Sequence, residues 1–86
     1  IGDNVILNSS CIVEHESIIS KGVHVGPGSV ICGNVIIGED SFVGANSTIK
    51  NNIKIGKNVV IGAGSVVVKD VKDNSIIYGN PATLKW

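Results

Sequence analysis

An aliphatic residue returns at every sixth position of this chain, without a slip, from Ile1 to Val67. Dividing residues 1–72 into hexads gives Ile1, Leu7, Val13, Ile19, Val25, Ile31, Ile37, Val43, Ile49, Ile55, Ile61 and Val67 at the first position. The fifth position runs Val5, Cys11, Ser17, Val23, Ser29, Val35, Ser41, Ser47, Ile53, Val59, Ser65 and Val71, small or β-branched and never charged. Twelve charged residues lie between Ile1 and Lys72, and none falls at either position. Random placement would do this about 1% of the time. Both positions therefore face inward.

A period of six is too short for a helical hairpin but suits a short strand followed by a bend. Three such units close a triangular coil, and four coils of eighteen residues stacked at roughly 4.8 Å make a prism on the order of 19 Å tall. Gly33-Asn34, Asn51-Asn52 and Asn58 fall at the bends, where left-handed dihedrals favour Gly and Asn. With 43% apolar residues and only Phe42, Tyr78 and Trp86 as aromatics, the core is built from Val and Ile layers. The fold class is all-β, a parallel β-helix over residues 1–72. The pattern breaks at Asp73, and residues 73–86 are expected to cap the last coil and cover its strand edges. Handedness does not follow from the period, because generic parallel crossovers are right-handed in about 98% of cases.

Seven basic and seven acidic residues cancel, and no Lys/Arg cluster appears, so neither nucleic acid nor an anionic membrane is an expected partner. No apolar run approaches a bilayer span and no signal peptide opens the chain, which makes the cytoplasm the expected compartment. Cys11 and Cys32 lack a metal-binding or disulfide spacing and read as reduced structural thiols. The chain begins at Ile1 already in repeat phase, so a preceding portion is expected.

These hexads, with the terminal Gly79-Asn80-Pro81-Ala82, resemble the hexapeptide-repeat acyltransferases. Val13-Glu14-His15-Glu16, Val23-His24-Val25-Gly26-Pro27-Gly28 and Cys32-Gly33-Asn34-Val35 resemble in particular the sialic-acid O-acetyltransferase and UDP-amino-sugar N-acetyltransferase group. The resemblance covers nearly the whole chain. It implies a left-handed helix, a homotrimer, acetyl-CoA as cosubstrate without a metal, a sugar or nucleotide-sugar acceptor, and a nucleotide-sugar-binding domain ahead of the prism. It also implies that the histidine at the His15 position is the general base, supported by the following acid, and that the histidine at the His24 position contacts the cofactor.

Acetyl transfer to an amine or hydroxyl needs a base, a donor for the thioester oxyanion and a groove for the pantetheine arm. His15 occupies an outward phase, and imidazole is the side chain whose ordinary titration falls near neutrality. A carboxylate from Glu14 or Glu16 would fix its tautomer, and Glu16 is the one assigned by resemblance. On residue chemistry alone, His15 is equally a solvated histidine at a bend between two solvated acids. Gly33 stands eighteen residues on, one coil above His15, where its bare amide suits an oxyanion donor or simply a bend. Pro27, Ala45 and Ala63 form a ladder of small residues, a candidate cofactor wall or merely small bends. Asn8, one hexad before the His15 loop, is assigned to the acceptor. Lys69, Lys72 and Lys85 are candidates for the cofactor phosphates or plain solvated surface. No phosphate-cradling glycine motif and no nucleophile motif is present, which favours direct transfer over an acyl-enzyme.

His15 and His24 are nine residues apart, half a coil, so they belong to different parts of one prism, and a three-fold assembly would bring a neighbour's copy alongside. Two other readings stand. A metal-dependent hydratase on the same prism would need three convergent histidines, and the chain has two. A non-catalytic trimerising scaffold would need none.

Overall fold

The computed structural model describes residues 1–85, so the final residue of the expected 73–86 cap lies outside it. Two-residue strands recur every six residues: β1 (Ile6–Leu7), β2 (Ile12–Val13), β3 (Ile18–Ile19), β4 (His24–Val25), β5 (Val30–Ile31), β6 (Ile36–Ile37), β7 (Phe42–Val43), β8 (Thr48–Ile49), β9 (Lys54–Ile55), β10 (Val60–Ile61) and β11 (Val66–Val67). Two longer strands follow, β12 (Ile76–Gly79) and β13 (Ala82–Leu84). Every third strand shares a wall: β1-β4-β7-β10-β12-β13 form one sheet, β2-β5-β8-β11 the second and β3-β6-β9 the third. The walls close a left-handed parallel β-helix of about four coils, as expected.

Register holds at eighteen residues through the body. Leu7 stands beside Val25, Val43 beside both Val25 and Ile61, Ile31 beside Val13 and Ile49, and Ile37 beside Ile19 and Ile55. Each coil hydrogen-bonds to the next through its sixth- and second-position amides, as in Ile12 N to Ser29 O at 2.8 Å and Glu14 N to Ile31 O at 2.8 Å. Corners close because each fourth position from Asn4 to Gly64 takes a φ between 52° and 74°. Asn and Asp, which tolerate this region, and Gly occupy nearly all of them.

The interior is a stack of aliphatic ladders. Val23, Val25, Ile31, Val35, Ile37, Val43, Ile49, Val59 and Ile61 are fully buried. Inward serines are tolerated because their hydroxyls bond the backbone of the next coil, most of them twice. Ser29 Oγ donates to Gly44 O at 2.9 Å and accepts from Ser47 N at 3.2 Å, and Ser41 does the same with Gly56 O at 2.7 Å and Val59 N at 3.0 Å. Among the described residues no buried side-chain polar atom lacks a partner.

Beyond Val67 the register contracts. Ile55 pairs with Val71, Val60 with Ile76 and Ile61 with Ile77, all sixteen residues apart. The side after β11 is two residues short, ending at Val71, and Ile76–Ile77 still continue the first wall. Asp70 and Asp73 compensate by accepting from Lys54 N at 2.9 Å and Lys57 N at 2.8 Å. β13 then lies antiparallel on β12, so the top edge of the first wall is paired.

Coils stack closely enough to dictate side-chain size. A Cβ on Gly44 would lie 2.6 Å from Ala63 N and 2.7 Å from Ile61 O, both backbone atoms of the next coil. Gly44→Ala is therefore expected to destabilise the chain by about 1–3 kcal/mol, measured by denaturant unfolding.

Candidate functional site

The three corners of the prism carry three different ladders of third-position residues. Asp3, Lys21, Glu39 and Lys57 alternate in charge between the third and first walls. Ser9, Pro27, Ala45 and Ala63 line the corner between the first and second walls. His15, Gly33, Asn51 and Lys69 line the corner between the second and third. The candidate cofactor wall and the candidate base thus occupy separate corners of one chain.

His24 projects outward from β4 on the first wall and is clamped from both sides. Asn8 Nδ2, one coil below, lies 2.8 Å from His24 Nε2 and also donates to Val25 O at 3.0 Å. The second bond settles the amide's orientation, because a flipped Asn8 would set its oxygen against the Val25 carbonyl. The amide therefore donates to Nε2, which must be the unprotonated nitrogen, and the ring proton sits on Nδ1. Phe42, one coil above, packs its ring 5.0 Å from the imidazole at 47°. The residue assigned to the acceptor thus touches the residue assigned to the cofactor. Phe42 was missed in the sequence, although its place eighteen residues after His24 marks it as the next rung of the same ladder.

His15 is exposed on its corner, and its imidazole rests on Gly33 of the coil above. A Cβ placed on Gly33 would lie 3.1 Å from His15 Cε1 and 3.2 Å from Nε2. The backbones are tied by Asn34 N donating to His15 O at 3.1 Å, while the Gly33 amide has no acceptor among the described residues. Neither Glu14 nor Glu16 hydrogen-bonds to the imidazole within the described chain. Glu16 nonetheless adopts φ 58°, a conformation its neighbours in the ladder reach with Asn52 and Asn34.

Charge is polarised along the axis, a signal that zero net charge conceals. Residues 1–40 carry five acids against Lys21 alone, a formal −4, and residues 41–86 carry six lysines against Asp70 and Asp73, a formal +4. At the basic end, a cavity of about 420 Å³ opens between the contracted side and the antiparallel tail, lined by Lys69, Lys72, Val71, Ile77 and Pro81 among others. Lys85 instead holds its ammonium 5.0 Å above the Tyr78 ring. Among the described residues, no group of three or more His, Cys, Asp or Glu side chains is placed to hold a metal ion.

No curated protein matches the chain. Among solved structures, a perosamine N-acetyltransferase from Caulobacter crescentus, in complex with CoA and GDP-perosamine, superposes with a TM-score of 0.99 at 35% identity over 100% of this chain and 41% of that one. The acetyltransferase domain of PglB from Neisseria gonorrhoeae, in complex with acetyl coenzyme A, gives 0.94 at 36% identity over 95% of this chain and 40% of that one. A maltose O-acetyltransferase from Clostridium difficile gives 0.91 at 33% identity over 96% and 55%. The chain thus spans about two fifths of the first two proteins. The family model for the bacterial transferase hexapeptide (six repeats) matches residues 16–51 and 34–69. Repeat, prism and family model agree, and the chain belongs to the bacterial transferase hexapeptide family.

Proposed function

We propose that this chain is the acetyl-CoA-binding part of a homotrimeric acetyltransferase that acylates an amino or hydroxyl group of a sugar or nucleotide-sugar. The observation that carries this reading is the division of labour between the histidines. Asn8 occupies His24 Nε2 and leaves Nδ1 to donate, a group suited to a thioester carbonyl. The His15 imidazole has no hydrogen-bond partner among the described residues, which leaves a ring nitrogen open to an acceptor's proton. His15 would take the proton from the acceptor as its nitrogen or oxygen attacks the thioester carbon. The Gly33 amide would donate to the oxyanion, the C–S bond would break, and the thiolate would leave with the proton from His15. Glu16 would stabilise the imidazolium once substrate excludes water.

Charge polarity supports one orientation of the cosubstrate, with phosphates toward Lys69 and Lys72 and the pantetheine arm running down the Ala45 and Ala63 corner. The perosamine and PglB neighbours, in complex with CoA and acetyl coenzyme A, support the same donor. Exposed apolar residues on the walls support a trimer: Ile6, Phe42 and Val60 on the first, Ile12 on the second, and Ile18 and Ile36 on the third. In such a trimer the His15 corner of one chain faces the His24 wall of its neighbour.

Calorimetry with acetyl-CoA, run beside mass in solution, tests this reading. A trimer binding one acetyl-CoA per chain is expected, with affinity reduced about tenfold by Asn8→Ala and at least as much by His24→Ala. Because Asn8 acts through the ring, the double variant should bind no worse than His24→Ala. A trimer indifferent to acetyl-CoA would instead favour the non-catalytic scaffold.

A further inference from the structure

We infer that Gly33 is a positioning residue, a seat for the His15 imidazole whose essential property is the absence of a side chain. Two independent observations carry this. First, Gly33 has a negative φ, unlike Gly22, Gly28 and Gly64, so no backbone conformation demands glycine there. Third positions elsewhere hold residues as different as Asp3, Pro27 and Lys57. Second, Gly33 is buried, whereas the third position of every other hexad is exposed or half-buried. What covers it is the imidazole, whose Cε1 and Nε2 stand 3.1 Å and 3.2 Å from where a Cβ would be.

Contacts that short are tighter than a methyl group tolerates. The Gly33 backbone is held by the coil above, where Asn52 N donates to Gly33 O at 3.1 Å, so the ring must yield. Alanine shifts it by a few tenths of an ångström, and valine drives it off the corner. The seat limits the swing of an exposed side chain about its own bonds and keeps Nε2 against Gly33. Base and proposed oxyanion donor are thereby held on neighbouring rungs of one corner. The catalytic consequence rests on the proposed role of His15, but the seat itself does not.

The test uses the His24→Ala chain, in which His15 is the sole histidine, so its ring carbon–proton signal is unambiguous in NMR. Gly33→Ala should move that signal toward the value of a free imidazole and Gly33→Val should move it further. Acylation of His15 by diethyl pyrocarbonate should accelerate in the same order, several-fold for valine. Asn51→Ala, one rung higher, should change neither. Gly33→Ala should also lower kcat for acetyl transfer several-fold, and Gly33→Val about 10²-fold, with no further loss on a His15→Ala background. A ring signal and an acylation rate unmoved by both substitutions would overturn the seat. A moved ring, together with a chain retaining His24 that does not bind acetyl-CoA, would uphold the seat and sink only the transferase reading.

Discussion

His15→Ala is expected to lower acetyl transfer by about 10²–10⁴-fold with little change in acetyl-CoA affinity or in stability. The split follows from where the residue sits. Its side chain is exposed and rests only against the edge of the next coil, so truncation opens no core cavity. The backbone bond from Asn34 N to His15 O at 3.1 Å survives the substitution. Removing a general base raises the barrier of the chemical step alone, so kcat falls while cosubstrate binding persists. His24→Ala should behave oppositely, with weakened binding leading the loss. Steady-state kinetics with acetyl-CoA and a panel of nucleotide amino sugars distinguishes the two. A loss below about tenfold for His15→Ala would remove it from the role of base.

How much of this was legible in the sequence depends on whether a feature repeats. The walls were legible because twelve hexads restate the same two inward positions, and one coil predicts the next. The eighteen-residue rule placed Gly33 over His15 before any coordinates did, and the structure brings them into contact. Handedness was not legible in the period, since a ladder of inward Val and Ile is the same in either hand. The contraction after Val67 was hidden because Val71 keeps the fifth-position pattern while changing partner, pairing with Ile55 at sixteen residues. Asn8, assigned to the acceptor, also holds His24, a contact sixteen residues long that no hexad count selects. It joins a second position to a sixth, and only the tilt of real side chains reveals it. Glu16 was placed beside His15 by resemblance, and its hydrogen bond is absent from the described chain.

Ile49→Ala should destabilise the chain by about 2–5 kcal/mol, and the same truncation at the part-exposed Leu7 should cost much less. Ile49 lies at the middle of the ladder Val13, Ile31, Ile49, Val67 and is fully buried. Its neighbours above and below are pinned by the hydrogen bonds between coils, Cys32 N to Ile49 O at 3.1 Å and Lys50 N to Val67 O at 3.0 Å. The walls cannot collapse onto the lost methyls, so the cavity term is retained in full. Leu7 has the same inward phase but keeps 39% of its surface exposed. Transfer of the remaining area gives roughly 1–2 kcal/mol for Leu7→Ala. Denaturant unfolding of both variants therefore measures a gradient along the axis. Equal losses would mean that the first coil is covered in the folded protein, whereas a steep gradient would show that stability resides in the middle coils. The base on coil one would then sit at the less stable end of the prism, where a partner subunit has most to stabilise.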